Sequence, residues 1–450
     1  MPIGAAPGTD RGWRNPVGTP SLPEVHSSLP IPVSSKFFRK FLAFAGPGFL
    51  VSVGYMDPGN WATDLAGGAS FGYRLLFVIM LSNLMAILLQ SLALKLGIAT
   101  GRDLAQACRD HYSRPASFVL WALAEIQIAA CDLAEVIGSA IALNLLFHIP
   151  LLWGVCLTAA DVLIILVLQQ KGFRYIEALV ISLIGTIFVC FGLEIFFARP
   201  DALGILRGFV TPPMELFTNT QMLYIAIGIL GATVMPHNLY LHSAIVQTRR
   251  FQRTPEGMRE AIRFGKIDTV FALMLALFVN AAILIVSAAA FHTSGHSHVA
   301  EIQDAYQLLT PLLGVTGAST IFALALLASG QNSTLTGTLA GQIIMEGFLN
   351  IRLQPWLRRL ITRLLAIIPA VIVTALYGTS GTARLLILSQ VILSMQLSFA
   401  VFPLVLFTGD RLKMGEFVNT RPVQALAWIV ALFIAALNAW LLVQAFRGWV

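Results

Sequence analysis

Charge is scarce in this chain of 450 residues: only 11% are Asp, Glu, Lys or Arg, against 57% hydrophobic. With a mean hydropathy of +0.79, that balance excludes an ordinary soluble domain and points to a polytopic membrane protein. Cysteine is scarce as well. Cys108, Cys131, Cys156 and Cys190 show no CxxC spacing, so reduced thiols and no disulfide framework are expected. No nucleophile–base set stands out, and GTLAG (337–341) has neither the spacing nor the lysine of a phosphate-binding loop. An enzyme is therefore not expected. No filter-like loop or repeated pore segment supports an ion channel. Residues 1–40 are rich in Pro, Gly and Ser and have no apolar core; they are neither a signal peptide nor a span, and a disordered cytoplasmic tail is expected.

Long apolar runs fill the rest. Eleven candidate spans lie near 41–70, 73–98, 116–147, 150–169, 173–198, 220–248, 264–291, 305–348, 360–378, 384–408 and 424–446, each long enough to cross a core of about 30 Å. Placing the N-terminus inside puts 24 of the 29 Lys and Arg on inner segments, leaving Arg74, Arg199, Arg207, Arg384 and Arg447 outside. This asymmetry predicts a cytoplasmic N-terminus and an extracytoplasmic C-terminus in the plasma (inner) membrane. It also accounts for the net charge of +7 through a lipid bilayer, with no nucleic acid partner.

Two spans carry polar interruptions. The first contains GYMDPGNWATD (54–64) and the sixth GATVMPHNLYLHSA (231–244). Pro58 and Pro236 each remove a backbone donor, so breaks are expected at 57–60, which includes Gly59, and at 235–238. Only a cavity, a bound ion or packed protein satisfies the carbonyls freed there. Interruptions five spans apart point to inverted repeats around a midplane site. The expected organisation is a first repeat over 41–198, an external loop at 199–219, a second repeat over 220–408 and an additional span at 424–446. The donors on offer are Asp57, Asn60, carbonyls near Gly54 and Ala232, and the thioether of Met235. A mixed oxygen and sulfur set suits a divalent first-row ion. Methionines in spans mostly just pack, but Met235 directly precedes the helix-breaking proline.

The third span holds Glu125, Asp132 and Glu135. Asp132 and Glu135 share a helix face. A proton relay or water-filled passage is one account, and an interhelical ion pair with Arg358, Arg359 or Arg363 another; the two are compatible. His237, beside Asn238, can shuttle protons, hydrogen-bond within the broken helix or ligate metal, in that order of preference. His242 reads as packed or water-facing. His292, His296 and His298 gather in a segment expected outside, where they can capture metal ions, although solvation is the commoner fate. Gln390 and Gln396 can complete a metal shell or bond across helices.

DPGN (57–60) and MPHN (235–238) together resemble the paired signatures of the Nramp family of proton-coupled divalent-metal transporters. DLAE (132–135), the arginines entering the ninth span and GQNSTLTGTLAGQIIMEGF (330–348) extend the likeness over nearly the whole chain after residue 40. The resemblance implies an all-α, leucine-transporter-like fold of two inverted five-helix repeats plus an eleventh helix, working by alternating access as a monomer. It implies a metal site of Asp57, Asn60, Met235 and the carbonyls of Gly54 and Ala232, joined by Gln390 when occluded. It also implies a proton route from Asp57 towards Asp132, Glu135 and Arg358 or Arg359, assisted by His237. Met235 places the chain on the manganese and iron side of the family, similar to bacterial manganese transport proteins. Mn²⁺ is the implied cargo, with Fe²⁺, and with Cd²⁺, Co²⁺ and Zn²⁺ as further candidates, and no cofactor beyond the transported ion. Gly54 departs from the alanine common in relatives. The rival reading is an amino-acid or other organic-solute symporter on the same scaffold, which a carboxylate–thioether pair fits poorly.

Overall fold

A computed structural model describes residues 12–32, 36–158, 172–297, 299, 301–351, 357, 361, 364, 367–372, 375 and 382–446. Helices α1 (Phe37–Phe44) and α2 (Pro47–Gly54) meet at a 47° bend. After them come α3 (Pro58–Phe71), α4 (Leu76–Thr100), a short α5 (Leu104–His111) and α6 (Arg114–Phe147). Next are α7 (Leu151–Leu157), α8 (Phe173–Ala198) and α9 (Ala202–Val210). The second half runs through α10 (Thr220–Thr233), α11 (Pro236–Ile245), α12 (Pro255–Ser287), α13 (Ile302–Leu313) and α14 (Ala318–Leu349). It closes with α15 (Thr382–Gly409), α16 (Arg411–Met414) and α17 (Arg421–Phe446). Among the described residues seven helices are long and apolar enough to cross a membrane, eight if the bent pair α1–α2 is one span. Of the other expected spans, the fourth is described only in α7 and its flanks, and most of the ninth lies outside the described residues. Gln, Asn, Ser and Thr side chains keep the long α14 less apolar than those helices.

The broken spans lie innermost. Every residue of α11 is buried, as is nearly all of α3, because α6, α12, α14 and α15 pack around them. Both interruptions fall slightly before the prolines. The first runs over Tyr55–Asp57 between α2 and α3, and the second over Val234–Met235 between α10 and α11. Pro58 and Pro236 open the following helices, at a position where the missing N–H costs nothing. The chain therefore unwinds before each proline and is helical again through Gly59, Asn60, His237 and Asn238.

The bend at Ala45–Gly46 is a third interruption, which the sequence reading did not anticipate. Its free carbonyls are taken by two guanidinium groups. Arg174 donates to Ala43 O (2.6 Å) and Ala45 O (2.9 Å), and Arg249 to Phe44 O (3.2 Å) and Ala45 O (2.7 Å). The N–H groups of Gly46 and Gly48, at the start of α2, donate to Asp268 (3.3 and 2.6 Å). Cations thus sit at a helix C-terminus and a carboxylate at an N-terminus, the favourable arrangement for both dipoles. Glu177 of α8 completes the cluster, accepting from Arg249 at 2.7 Å with both groups buried. Gly46 has φ 138°, and a Cβ there would lie 2.5 Å from both Arg249 and Glu177.

The expectation of a disordered tail does not hold for residues 12–32. This segment forms a strap over the helix ends. Arg14 N–H donates to Asp110 O (2.8 Å), Ser21 Oγ to Asp103 (2.7 Å) and Leu22 N–H to Glu346 (2.9 Å), and Leu29–Pro30 (β1) pairs in parallel with Arg249–Arg250 (β2). Leu22 and Trp13 are buried. The strap is held largely through its backbone, which a polar composition does not reveal.

Removing one member of a buried ion pair typically costs about 3–5 kcal/mol, whereas an exposed pair contributes about 0–1 kcal/mol. Glu177→Ala should therefore lower the unfolding temperature of the detergent-solubilised protein markedly. Glu260→Ala, which removes the more exposed partner of Lys40, should shift it little. Equal shifts would remove the anchoring role given to the Glu177 cluster.

Candidate metal site

The unwound turns bring the expected oxygen donors together. Tyr55 N–H donates to Ser52 O (3.1 Å) and Met56 N–H to Val53 O (2.9 Å), so those carbonyls are satisfied by the turn itself. Gly54 O instead accepts from Asn60 Nδ2 at 3.3 Å. The same amide nitrogen donates to Ala232 O (3.1 Å) and Asp57 Oδ1 (2.7 Å). Three oxygens from two broken spans thus surround one amide NH2 group. Asp57 caps α3, accepting from Asn60 N–H at 2.8 Å, and is fully buried.

Gln390 of α15 reaches the same carboxylate, its Nε2 donating to Asp57 Oδ2 at 3.3 Å. Gly59 allows this approach, because a Cβ there would lie 1.6 Å from Gln390 Nε2 and 2.3 Å from its Cδ. A Cβ at Gly54 would meet mainly the tip of Asn238, with Nδ2 at 2.3 Å. Met235 is fully buried at the N-cap of α11 and packs with Ala130, Cys131 and Leu393. Its backbone belongs to the second break, while its side chain forms an apolar contact with the third span.

His237 bonds to Gln127 of α6 through Nδ1 (2.6 Å), and its Nε2 lies 4.0 Å from Cys131 Sγ. Cys131 in turn donates to Glu135 Oε1 at 3.5 Å. Polar contacts therefore run from the second break along α6 to one of the predicted acids. Asp132 and Glu135 are buried and both face Gly337 of α14, where a Cβ would lie 3.2 and 2.9 Å from their nearer oxygens. Arg358, Arg359 and Arg363, their proposed partners, lie outside the described residues. Glu125 is set apart in a half-buried position, accepting from Trp121 at 2.9 Å.

Gln396 is buried within α15. His242 is packed, as expected, bonding to Gln90 at 3.0 Å. His292 bonds to Ala69 O at 2.9 Å and His296 to Ser294 at 3.3 Å, while His298 lies outside the described residues. No group of three or more His, Cys, Asp or Glu able to hold a metal occurs among the described residues. Residues missed in the sequence are Asn280 of α12, whose Nδ2 donates to Asn60 Oδ1 at 3.4 Å, together with Gln127 and Cys131. Asn280 and Gln127 are polar groups inside apolar runs, a signal that could have found them.

Two broken spans facing one another around a buried carboxylate, inside a sheath of unbroken helices, define a membrane transporter of leucine-transporter-like fold. The fold likeness extends to MHP1, a nucleobase-cation-symport-1 family transporter, at a TM-score of 0.56 and 16% identity over 88% of this chain and 92% of that one. The model of the Nramp family, described as natural resistance-associated macrophage protein-like, matches residues 48–444. The divalent metal cation transporter MntH of Nostoc sp. is 68% identical over 434 residues, 96% of this chain and 98% of its own. That of Listeria innocua is 66% identical over 96% and 97%. The crystal structure of the Eremococcus coleocola manganese transporter superposes with a TM-score of 0.86 at 42% identity, over 93% of this chain and 90% of that one. The chain belongs to the Nramp family; it is a transporter and not an enzyme.

Gly59→Ala should displace the whole Gln390 side chain and weaken metal binding, measured by isothermal titration with Mn²⁺, by about tenfold, equivalent to about 1.4 kcal/mol. Gly54→Ala asks only a side-chain tip to move and should bind within about threefold of wild type, under 1 kcal/mol. Indistinguishable affinities for the two variants would show that Gln390 has no part in the site.

Proposed function

We propose that the protein imports divalent transition-metal ions, Mn²⁺ foremost and Fe²⁺ with it, together with protons, by alternating access across the plasma membrane. Cd²⁺, Co²⁺ and Zn²⁺ are further candidate cargo. The carrying observation is the convergence of Asp57 Oδ1, Gly54 O and Ala232 O on Asn60 Nδ2. The positively polarised N–H hydrogens of Asn60 already occupy that point, and rotation of the Asn60 amide would present its oxygen there instead. One carboxylate and neutral oxygens bind a dication without the full charge neutralisation that would trap it. Sulfur from Met235, three residues beyond the freed carbonyl of Ala232, would bias such a set towards transition metals over Mg²⁺ and Ca²⁺. Metal transport named for relatives that share two thirds of the sequence supports this reading, as does the manganese transporter with the same fold.

Proton coupling rests on the polar contacts leaving the site. Asp57 would accept the first proton, and His237, Cys131 and Glu135 would carry it along α6 towards the arginines of the ninth span. With the N-terminus inside, an inside-negative potential favours entry by about 2.3 kcal/mol per charge for each 100 mV. A dication gains twice that before any proton is added. All of the proposed donors come from one chain, so a monomer suffices. The buried carboxylate of Asp57 fits the carboxylate of an amino-acid substrate poorly, because like charges would be brought together out of water.

Uptake of Mn²⁺ into proteoliposomes holding an internal pH dye tests the proposal. Metal entry should be accompanied by acidification and should quicken when the outside is made acidic; entry with no acidification would leave a uniporter. Asp57→Ala should abolish uptake. Met235→Ala should retain uptake but allow Ca²⁺ to compete, and unaltered Ca²⁺ competition would remove the role given to sulfur.

A further inference from the structure

A cavity of about 550 Å³ lies where the N-terminal strap meets the start of α6. Its wall carries three arginines from separate elements: Arg14 of the strap, Arg109 of α5 and Arg114 at the first turn of α6. Arg109 is engaged, donating to Asp110 (3.1 Å) and Gly347 O (2.8 Å). Arg14 and Arg114 make no ion pair among the described residues. No carboxylate lines the cavity, so the charges of Arg14 and Arg114 are uncompensated from within.

Two further observations point to an anion. Ser117 lines the cavity, is only 6% exposed, and its Oγ has no hydrogen-bond partner among the described residues. A buried hydroxyl left without a partner is uncommon and signals a ligand to be met. The cavity also faces the N-terminus of α6, a helix of 34 residues, and Ser113 at the N-cap makes no side-chain capping bond. Serine ordinarily caps a helix in that position, and an uncapped N-terminus favours phosphate and similar anions. Beside the arginines Phe118 and Val119 are each 56% exposed, on the helix that then crosses the membrane. The site thus combines a cationic mouth with an adjoining apolar wall.

We propose that Arg14, Arg109, Arg114 and Ser117 form a site for a phosphate-bearing anion, the headgroup of an anionic phospholipid being the form the apolar wall suits. Basic pockets beside spans on the inner side of a membrane bind such headgroups through the same chemistry. Because Arg14 lies on the strap and Arg114 on α6, a bound phosphate would fasten the strap to the helix bundle.

Native mass spectrometry of the purified full chain, delipidated and then offered phosphatidylglycerol or phosphatidylcholine, tests this. Phosphatidylglycerol should be retained and phosphatidylcholine should not. Arg14→Ala/Arg114→Ala should weaken phosphatidylglycerol retention about tenfold or more, since charge-assisted contacts dominate such recognition. Ser117→Ala should weaken it less, and Arg384→Ala, on the opposite side of the membrane, should leave it unchanged. Both arginines of the double variant are exposed, and its unfolding temperature in detergent checks that it folds. Equal retention by wild type and double variant, or equal retention of the two lipids, would overturn the site. Stabilisation by inorganic phosphate with the same arginine dependence, but no lipid retention, would keep the phosphate site and overturn its lipid source.

Discussion

Backbone carbonyls freed by a break in a helix need partners wherever water is excluded, and the architecture follows from how three interruptions meet that demand. Where α2 and α10 stop, the free oxygens of Gly54 and Ala232 turn to a single amide nitrogen on Asn60. Where α1 stops, the carbonyls of Ala43, Phe44 and Ala45 turn to two arginines. The first solution uses a neutral donor that can rotate away and leave its acceptors to an ion. The second uses permanent charges, themselves balanced by Glu177. One interruption is thereby suited to exchange its partner, and the other to hold a helix junction firmly.

Close packing transmits between these places. Gly138 of α6 lies so close to Pro58 that a Cβ there would be 2.2 Å from the proline ring, and a Cβ at Gly231 of α10 would be 2.3 Å from Gln390 O. The two breaks are therefore pressed against α6 and α15 with no room for an added methyl group. Interiors packed this way change arrangement in discrete steps rather than by continuous yielding. Movement of α15 cannot leave Asp57 unaffected, because Gln390 contacts the carboxylate and packs against Gly59 and Gly231, which flank the two breaks.

Much of the site was legible because polar residues in apolar runs are rare and costly. Asp57 and Asn60 stood out in that way, the carbonyls of Gly54 and Ala232 through the breaks beside them, and the structure brings the four together. The prolines were a less exact guide: the rule that proline breaks a helix is blind to its suitability for starting one, so both interruptions fell slightly earlier than Pro58 and Pro236 suggested. Asn280 and Gln127 carried the same signal of polarity at depth but no surrounding motif. The Glu177–Arg249 pair, 72 residues apart in sequence, was illegible, since nothing local marks either residue as the other's partner. The strap was illegible for another reason. Composition reports whether a segment can build its own core, and this one borrows its order from helix ends already in place.

That borrowing fixes a sequence of events during synthesis. The strap leaves the ribosome well before the helices it rests on, since Leu22 finds its acceptor, Glu346, only 324 residues later. Trp13 packs against Phe407, which comes later still. Until α14 and α15 have been inserted, Leu22 and Trp13 lack these partners and the attachment of the N-terminal segment stays incomplete. Its full attachment is therefore a record that the second half of the protein has arrived.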